Sequence, residues 1–192
     1  NKTIKQANTI TYNPVIYELS KENKELIPKT IKHIFIISDR RERIETLRKI
    51  AKAVNSDKTM IFINTKYDLE ESLQKLQYHN YNVAALAGNI DKQSKKKAVE
   101  DFQNGRLQYL LATDVAARGL QIDHVSTVIN VNLPEEPTEY LHRAGRCGRN
   151  NEQGLCISII TENELNKIKK YQKAFNINIV QKRLYNGKIV SK

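Results

Sequence analysis

The chain has 192 residues, with 32 Lys and Arg against 21 Asp and Glu, a formal charge of +11. That length supports one domain with a real core. The positive excess points to a polyanion, nucleic acid first, although lysine-rich surfaces also serve solubility. Nothing reads as a signal peptide or a bilayer-spanning run, and Cys147 and Cys156 lack metal or disulfide-framework spacing, so a cytoplasmic location is expected.

The first residue is Asn1 rather than methionine, which suggests a piece of something longer. Residues 1–29 are polar and irregular, with short strands expected at Thr9–Tyr12 and Val15–Tyr17 around Pro14. They read as a linker or the end of a preceding domain. From His33 the pattern becomes regular. His33–Ile37 is a compact apolar run expected to be a buried strand. Asp39-Arg40-Arg41-Glu42 has the form of a capping box before a helix carrying Ile44, Leu47, Ala51 and Val54.

That unit repeats. Met60–Ile63 predicts a strand and Thr65–His79 a helix with Leu69, Leu73 and Leu76 on one face. Val83–Leu86 predicts a strand and Lys92–Phe102 a helix. Leu107–Ala112 predicts a strand followed by a short turn at Ala116–Arg118. Val125–Val131 predicts a strand and Pro137 a helix entry, with Thr138 as its cap. If that helix ran on, His142, Arg146 and Arg149 would share a face at i, i+4 and i+7. Leu155–Ile160 predicts a strand, Thr161–Glu164 caps a helix with Leu165, Ile168 and Tyr171 inward, and Ile177–Val180 is a last edge strand. Lys182–Lys192 reads as a frayed basic tail. Short apolar strands alternating with amphipathic helices imply βαβ units and a mostly parallel sheet with helices on both faces.

In such sheets ligands bind beyond the carboxyl ends of the strands. The polar segments Asn64-Thr65, Gly88-Asn89, Thr113-Asp114 and the turn before His142 all follow strands directly. Taken singly, each has a bland reading: Asn64 and Thr65 as helix caps, Gly88 as a turn glycine, the Lys95–Lys97 run as a solvated face. In His142-Arg143-Ala144-Gly145-Arg146-Cys147-Gly148-Arg149, three arginines recur every third residue. Arginine offers a fixed fork of donors suited to phosphate oxygens, and internal glycines cost a helix about 1 kcal/mol each, so close approach to the backbone is expected. Cys147 reads as a spacer, and His33, His79 and His124 as surface or structural residues.

Read together, Ile61–Lys66, Leu86–Asn89, Ala112–Leu120 and His142–Arg149 closely resemble, in order and spacing, the C-terminal RecA-like domain of DEAD-box RNA helicases. The resemblance covers residues 30–175, and the domain is taken as 30–181. It implies a three-layer RecA-like α/β fold. It also implies that Arg146 and Arg149 reach the γ-phosphate of ATP across a cleft between two domains, stabilising charge during phosphoryl transfer. His142, Arg143, Gln121 and Gly119 match ATP-facing or interdomain positions. Asn64, Thr65, Gly88, Lys92, Lys95, Thr113 and Arg118 match positions that contact or support the RNA backbone, contacts that position a strand without reading its sequence.

No metal site is expected in this chain. There is no GxxxxGK[ST] loop and no Asp-Glu-Ala-Asp string, so the resemblance places the main site for ATP and Mg2+ on an absent N-terminal RecA-like domain. It names RNA and that domain as partners and ribosomal particles as a further possibility, with no membrane. Lys92 and Lys95 stand where the family has Gln and Arg, and Gln121 where it has Asp. The loss of that carboxylate is expected to weaken nucleotide capture by about 1 kcal/mol. A non-catalytic RNA-binding scaffold and a DNA translocase of the same superfamily remain alternative readings.

Overall fold

The computed structural model describes residues 28–87, 90–120, 122, 124–149 and 152–191. Among these, eight strands form one sheet. They are β1 (Ile31–Ile37), β2 (Thr59–Phe62), β3 (Val83–Leu86), β4 (Tyr109–Ala112), β5 (Thr127–Asn130), β6 (Gly154–Ile160), β7 (Ile179–Tyr185) and β8 (Lys188–Ser191). Their spatial order is β3-β4-β2-β5-β6-β1-β7-β8. All pair in parallel except β7 with β8. The helices are α1 (Arg43–Val54), α2 (Lys66–Tyr78), α3 (Lys92–Gln103), α4 (Asp114–Ala117), α5 (Pro137–Ala144) and α6 (Leu165–Phe175). The α/β, RecA-like reading of the sequence therefore holds.

Two cores follow from the period-2 alternation of strands buried on both faces. Phe35, Met60, Phe62, Leu110, Ala112 and Val128 point to one face, where they meet Phe102 of α3, Tyr140 of α5 and Tyr171 of α6. Ile34, Ile36, Ile61, Leu111 and Ile129 point to the other, against Leu47 and Ile50 of α1 and Leu69 and Leu76 of α2. Because the strands are parallel, the ends of β2, β4 and β5 lie side by side, with Phe62 opposite both Ala112 and Asn130.

Several local expectations change. Asp39 makes no side-chain cap; the chain first takes a single 3-10 turn at Arg40–Glu42. Thr161 and Glu164 do form the capping box. Thr138 is not a cap, because Pro137 already occupies the first turn of α5 and Glu136 precedes it. The segment Lys182–Lys192 is not a frayed tail as far as Ser191: β7 and β8 close into a hairpin with Tyr185 opposite Lys188. Its turn residues Asn186 and Gly187 have φ of 46° and 72°, the positive values a two-residue hairpin turn uses. The last edge strand is thus β8, and β7 is an interior strand paired to β1. The strands expected around Pro14 lie outside the described residues.

Candidate functional site at the carboxyl ends of the strands

Arg143 organises this surface. Its helix, α5, lies over the face that carries Phe62, and the guanidinium carbon sits 5.1 Å from the Phe62 ring centroid. The residue is only 1% exposed. Its Nε donates to Asp114 Oδ1 at 2.7 Å and its Nη2 to Asp114 Oδ2 at 2.5 Å. Nη2 also donates to Asn64 Oδ1 at 2.9 Å, and Nη1 to the Asn132 carbonyl at 2.7 Å and Asn130 Oδ1 at 3.3 Å. One side chain thus ties together the ends of β2, β4 and β5. A buried cation needs such pairing, since an unmatched one costs several kcal/mol. Within its own domain Arg143 is thus a clamp on the strand ends.

The clamp continues inward. Asn130 Nδ2 donates to Ser158 Oγ at 3.3 Å, Cys156 Sγ lies 3.7 Å from the Tyr140 hydroxyl, and that hydroxyl is 2.9 Å from His33 Nδ1. Burial lowers the His33 pKa to about 4 and raises that of Cys156 to about 11. His33 is buried, the structural one of its two expected readings. The polar Asn130 at the end of an otherwise apolar strand was the sequence signal for this network.

Helix α5 ends at Ala144, so Arg146 and Arg149 do not continue its face. They stand in the turns beyond it, because Cys147 is drawn in to bridge Val125 and is fully buried. Gly148 has φ +68°, and a Cβ there would fall 2.6 Å from Ile31 Cγ1. That glycine makes room for β1 of the same domain, not for an incoming partner. Arg146 Nη1 donates to the Leu120 carbonyl at 2.7 Å, and Arg149 Nε to the Gly145 carbonyl at 3.1 Å. Both arginines are half-buried. The Arg146 pKa is pushed down, first by burial and then by the charge of Arg149.

Arg118, His142 and Arg146 rim a cleft of about 210 Å³ whose floor includes Phe62, Asp114 and Arg143. His142 is exposed. Arg118 lies 3.6 Å from Glu139 Oε1, so it belongs with the arginine cluster. Gly119 has φ +74° with open space around it. Thr65 and Thr113 are the caps of α2 and α4: their hydroxyls accept from Asp68 N at 3.1 Å and Ala116 N at 3.3 Å. Asn64 is held at three points, donating from its backbone to Asn132 Oδ1 and from Nδ2 to the Leu133 carbonyl and accepting from Arg143.

Asp91 caps α3 by accepting from the backbone of Gln93 and Ser94, both at 2.9 Å. This sets Lys92 and Lys95 on one side of its first turn, where they line a second cavity of about 480 Å³ with Val99 and Leu120. Leu120 therefore joins the lysines to Arg146. Asn64 and Thr65 line a third cavity, of about 460 Å³, together with Arg40 and Arg41, which sequence reasoning did not single out. Gly88 and Gln121 lie outside the described residues.

The fold and this surface define a RecA-like α/β domain with basic and hydroxyl side chains gathered at the carboxyl ends of its parallel strands. Residues 42–151 match the family described as the helicase conserved C-terminal domain. The chain is 32% identical over 185 residues to the DEAD-box ATP-dependent RNA helicase CshC of Bacillus cereus, covering 96% of this chain and 46% of that protein. It is 35% identical over 163 residues to the ATP-dependent RNA helicase DBP3 of Saccharomyces cerevisiae, covering 82% and 31%. Among solved structures, it is similar to S. cerevisiae Dbp5 bound to RNA and ADP BeF3, with a TM-score of 0.81 and 28% identity over 95% of this chain and 49% of that one. It is also similar to the E. coli DEAD-box protein SrmB bound to the regulator of ribonuclease activity RraA, with a TM-score of 0.73 and 26% identity over 82% and 92%. The chain belongs to the helicase C-terminal domain family, in its DEAD-box RNA helicase branch. It spans under half the length of these curated relatives. No helix among the described residues is long and apolar enough to cross a membrane.

Proposed function

We propose that this chain is the C-terminal half of an ATP-dependent RNA helicase and acts by closing against a second RecA-like domain that holds ATP and Mg2+. In the closed state Arg146 and Arg149 meet the γ-phosphate of the substrate ATP and stabilise the charge that develops during transfer. His142 and Gly119 face the same junction, and Gln121 is assigned to it by the family resemblance alone.

The observation that carries this reading is the cleft at the strand ends on which Arg118, His142 and Arg146 converge, with Arg149 close enough to Arg146 to act on its charge. Burial and Arg149 both lower the Arg146 pKa, and a bound phosphate would supply the opposite charge that offsets the repulsion from Arg149. Arginine keeps its charge throughout the physiological range, so the pair is poised to attract a polyanion.

RNA lies along the strand ends. Thr65 and Thr113 each use the hydroxyl oxygen to accept from a helix backbone, which leaves the hydroxyl proton free to be donated to a phosphate oxygen. Lys92 and Lys95 add point charges, and Gly88 permits close approach. Arg118 stands between the two ligands, on the rim shared with Arg146. ATP and RNA each bridge both halves and therefore favour closure together, and closure bends one strand out of a short duplex.

The test is RNA-stimulated ATP hydrolysis by the gene product that carries this chain, beside residues 1–192 alone. The two-domain protein turns over ATP in an RNA-dependent manner, whereas the 192-residue chain does so negligibly. Steady turnover by the isolated chain overturns the division of labour.

A further inference from the structure

We infer that single-stranded RNA runs on past Asn64 and Thr65 into a second basic groove between α1 and the β7–β8 hairpin, where Tyr185 stacks on a base. The inference rests on the RNA reading above and extends it to a surface that none of the resembling motifs occupies. The groove measures about 560 Å³. Arg48, Lys49 and Lys52 of α1 line one wall and Arg183 and Tyr185 the other, and no acidic side chain lines it among the described residues. Glu45 is the neighbouring carboxylate, bound to Arg48 at 2.6 Å and lying 3.0 Å from Lys75 and 3.9 Å from Lys49.

Tyr185 is 60% exposed, on a strand whose next two residues form the tight Asn186-Gly187 turn. Tyr67 and Tyr78 are more exposed still; what sets Tyr185 apart is its place on the wall of a basic groove beside Arg183. The Arg183 guanidinium carbon lies 5.6 Å from the Tyr185 ring centroid, within cation–π range. Together they make a platform of one aromatic ring and one planar cation, and bases stack on either kind of surface. A basic groove that tracks phosphates and carries an aromatic side chain is how proteins hold single strands without reading sequence.

The two surfaces open at one end of the sheet. β7 runs parallel to β1, with Ile36 opposite Lys182, so Arg183–Tyr185 emerge at the same end of the sheet as Asn64 and Thr113. Between them stands a cavity lined by Asn64, Thr65, Arg40 and Arg41 and also by Asp68, Glu71, Glu135 and Glu164, of which Glu164 is paired with Arg43. The loop bearing those arginines is tied to the far groove by the 2.8 Å contact between Ser38 Oγ and Thr46 Oγ1, and Thr46 lines that groove.

Length-dependent binding tests the inference. Fluorescence anisotropy of the 192-residue chain is measured with oligouridine RNAs of about 6 and about 16 nucleotides, lengths that fall short of and reach the second groove on a single-strand site-size scale. The longer RNA binds more tightly. Tyr185→Ala weakens it about 5- to 150-fold, the effect of losing one stacked base, and Tyr185→Phe retains wild-type binding. The Lys52→Glu, Arg183→Glu double variant lowers the salt slope for the long RNA by about 1–2, as expected for two lost phosphate contacts. None of these changes alters binding of the short RNA. Equal affinity for both lengths, long-RNA binding untouched by the variants, or equal loss on both RNAs overturns the second groove while leaving the helicase reading intact. Binding of neither RNA by the wild-type chain also overturns the second groove.

Discussion

Arg143 and Asp114 form a two-point ion pair at 2.7 and 2.5 Å in which the arginine is almost wholly enclosed. Asp114 opens the helix that follows β4, and Arg143 also reaches the segments after β2 and β5. The pair thus sets the spacing of the strand ends on which the candidate site is built. Removing one partner strands the other charge. Arg143→Ala and Asp114→Ala each destabilise the domain by about 3–5 kcal/mol, read from urea unfolding. Arg143→Lys does not restore stability, because an ammonium group cannot reproduce the planar fork.

Gly148 and Gly119 separate two kinds of glycine requirement. Both have positive φ, +68° and +74°, but a Cβ at Gly148 meets Ile31 whereas Gly119 has open space. Gly119→Ala carries only the backbone cost of about 1–2 kcal/mol. Gly148→Ala adds overlap of about 1–3 kcal/mol on top of that. Thermal unfolding of the two variants side by side shows the difference, and equal losses would contradict this packing.

His33 makes stability depend on pH. Burial lowers its pKa to about 4 from an ordinary 6.5. The unfolded chain therefore binds this proton before the folded one does. Its contribution is fully present above pH 6.5 and is lost as the pH falls from 6.5 towards 4, with a slope approaching about 1.4 kcal/mol per pH unit. Glu45, held down to about 2 by Arg48, acts in a lower window, between its ordinary value of 4.5 and 2. Stability measured from pH 7 to 4.5 falls in the wild type and is flatter in His33→Gln.

Thr65 has two separable tasks, a helix cap and a hydroxyl donor. Thr65→Ser keeps both. Thr65→Asp keeps the cap, since a carboxylate accepts well at that position, but places negative charge where RNA phosphate is proposed to lie. Stability is retained in both variants within about 0.5 kcal/mol, whereas RNA affinity falls in Thr65→Asp alone. Unchanged RNA binding in Thr65→Asp would remove Thr65 from the groove.

The sheet was legible because its strands are buried on both faces and read as short apolar runs, from Ile34 to Ile160. The site was partly legible, since Thr65 and Thr113 stand directly after strands as their order implied. The inward turn of Arg143 was not legible, because the sequence places it among arginines of similar spacing, and only packing shows which of them turns inward. The run from His142 to Arg149 looked like one helix because burial of Cys147 against Val125 is a tertiary effect. The hairpin was missed for a different reason. Charges in Lys182 and Arg183 masked the alternation around Leu184, although Asn186-Gly187 was a turn signal in plain view.

The central claim is that Arg146 and Arg149 serve ATP hydrolysis rather than RNA holding. RNA-stimulated ATP turnover by the gene product carrying these residues tests it, with wild type compared with Arg149→Ala and Arg146→Ala and RNA affinity measured in parallel. The account predicts a fall in kcat of about 1,000-fold or more with RNA affinity within about threefold of wild type. Wild-type kcat with weakened RNA binding would contradict it.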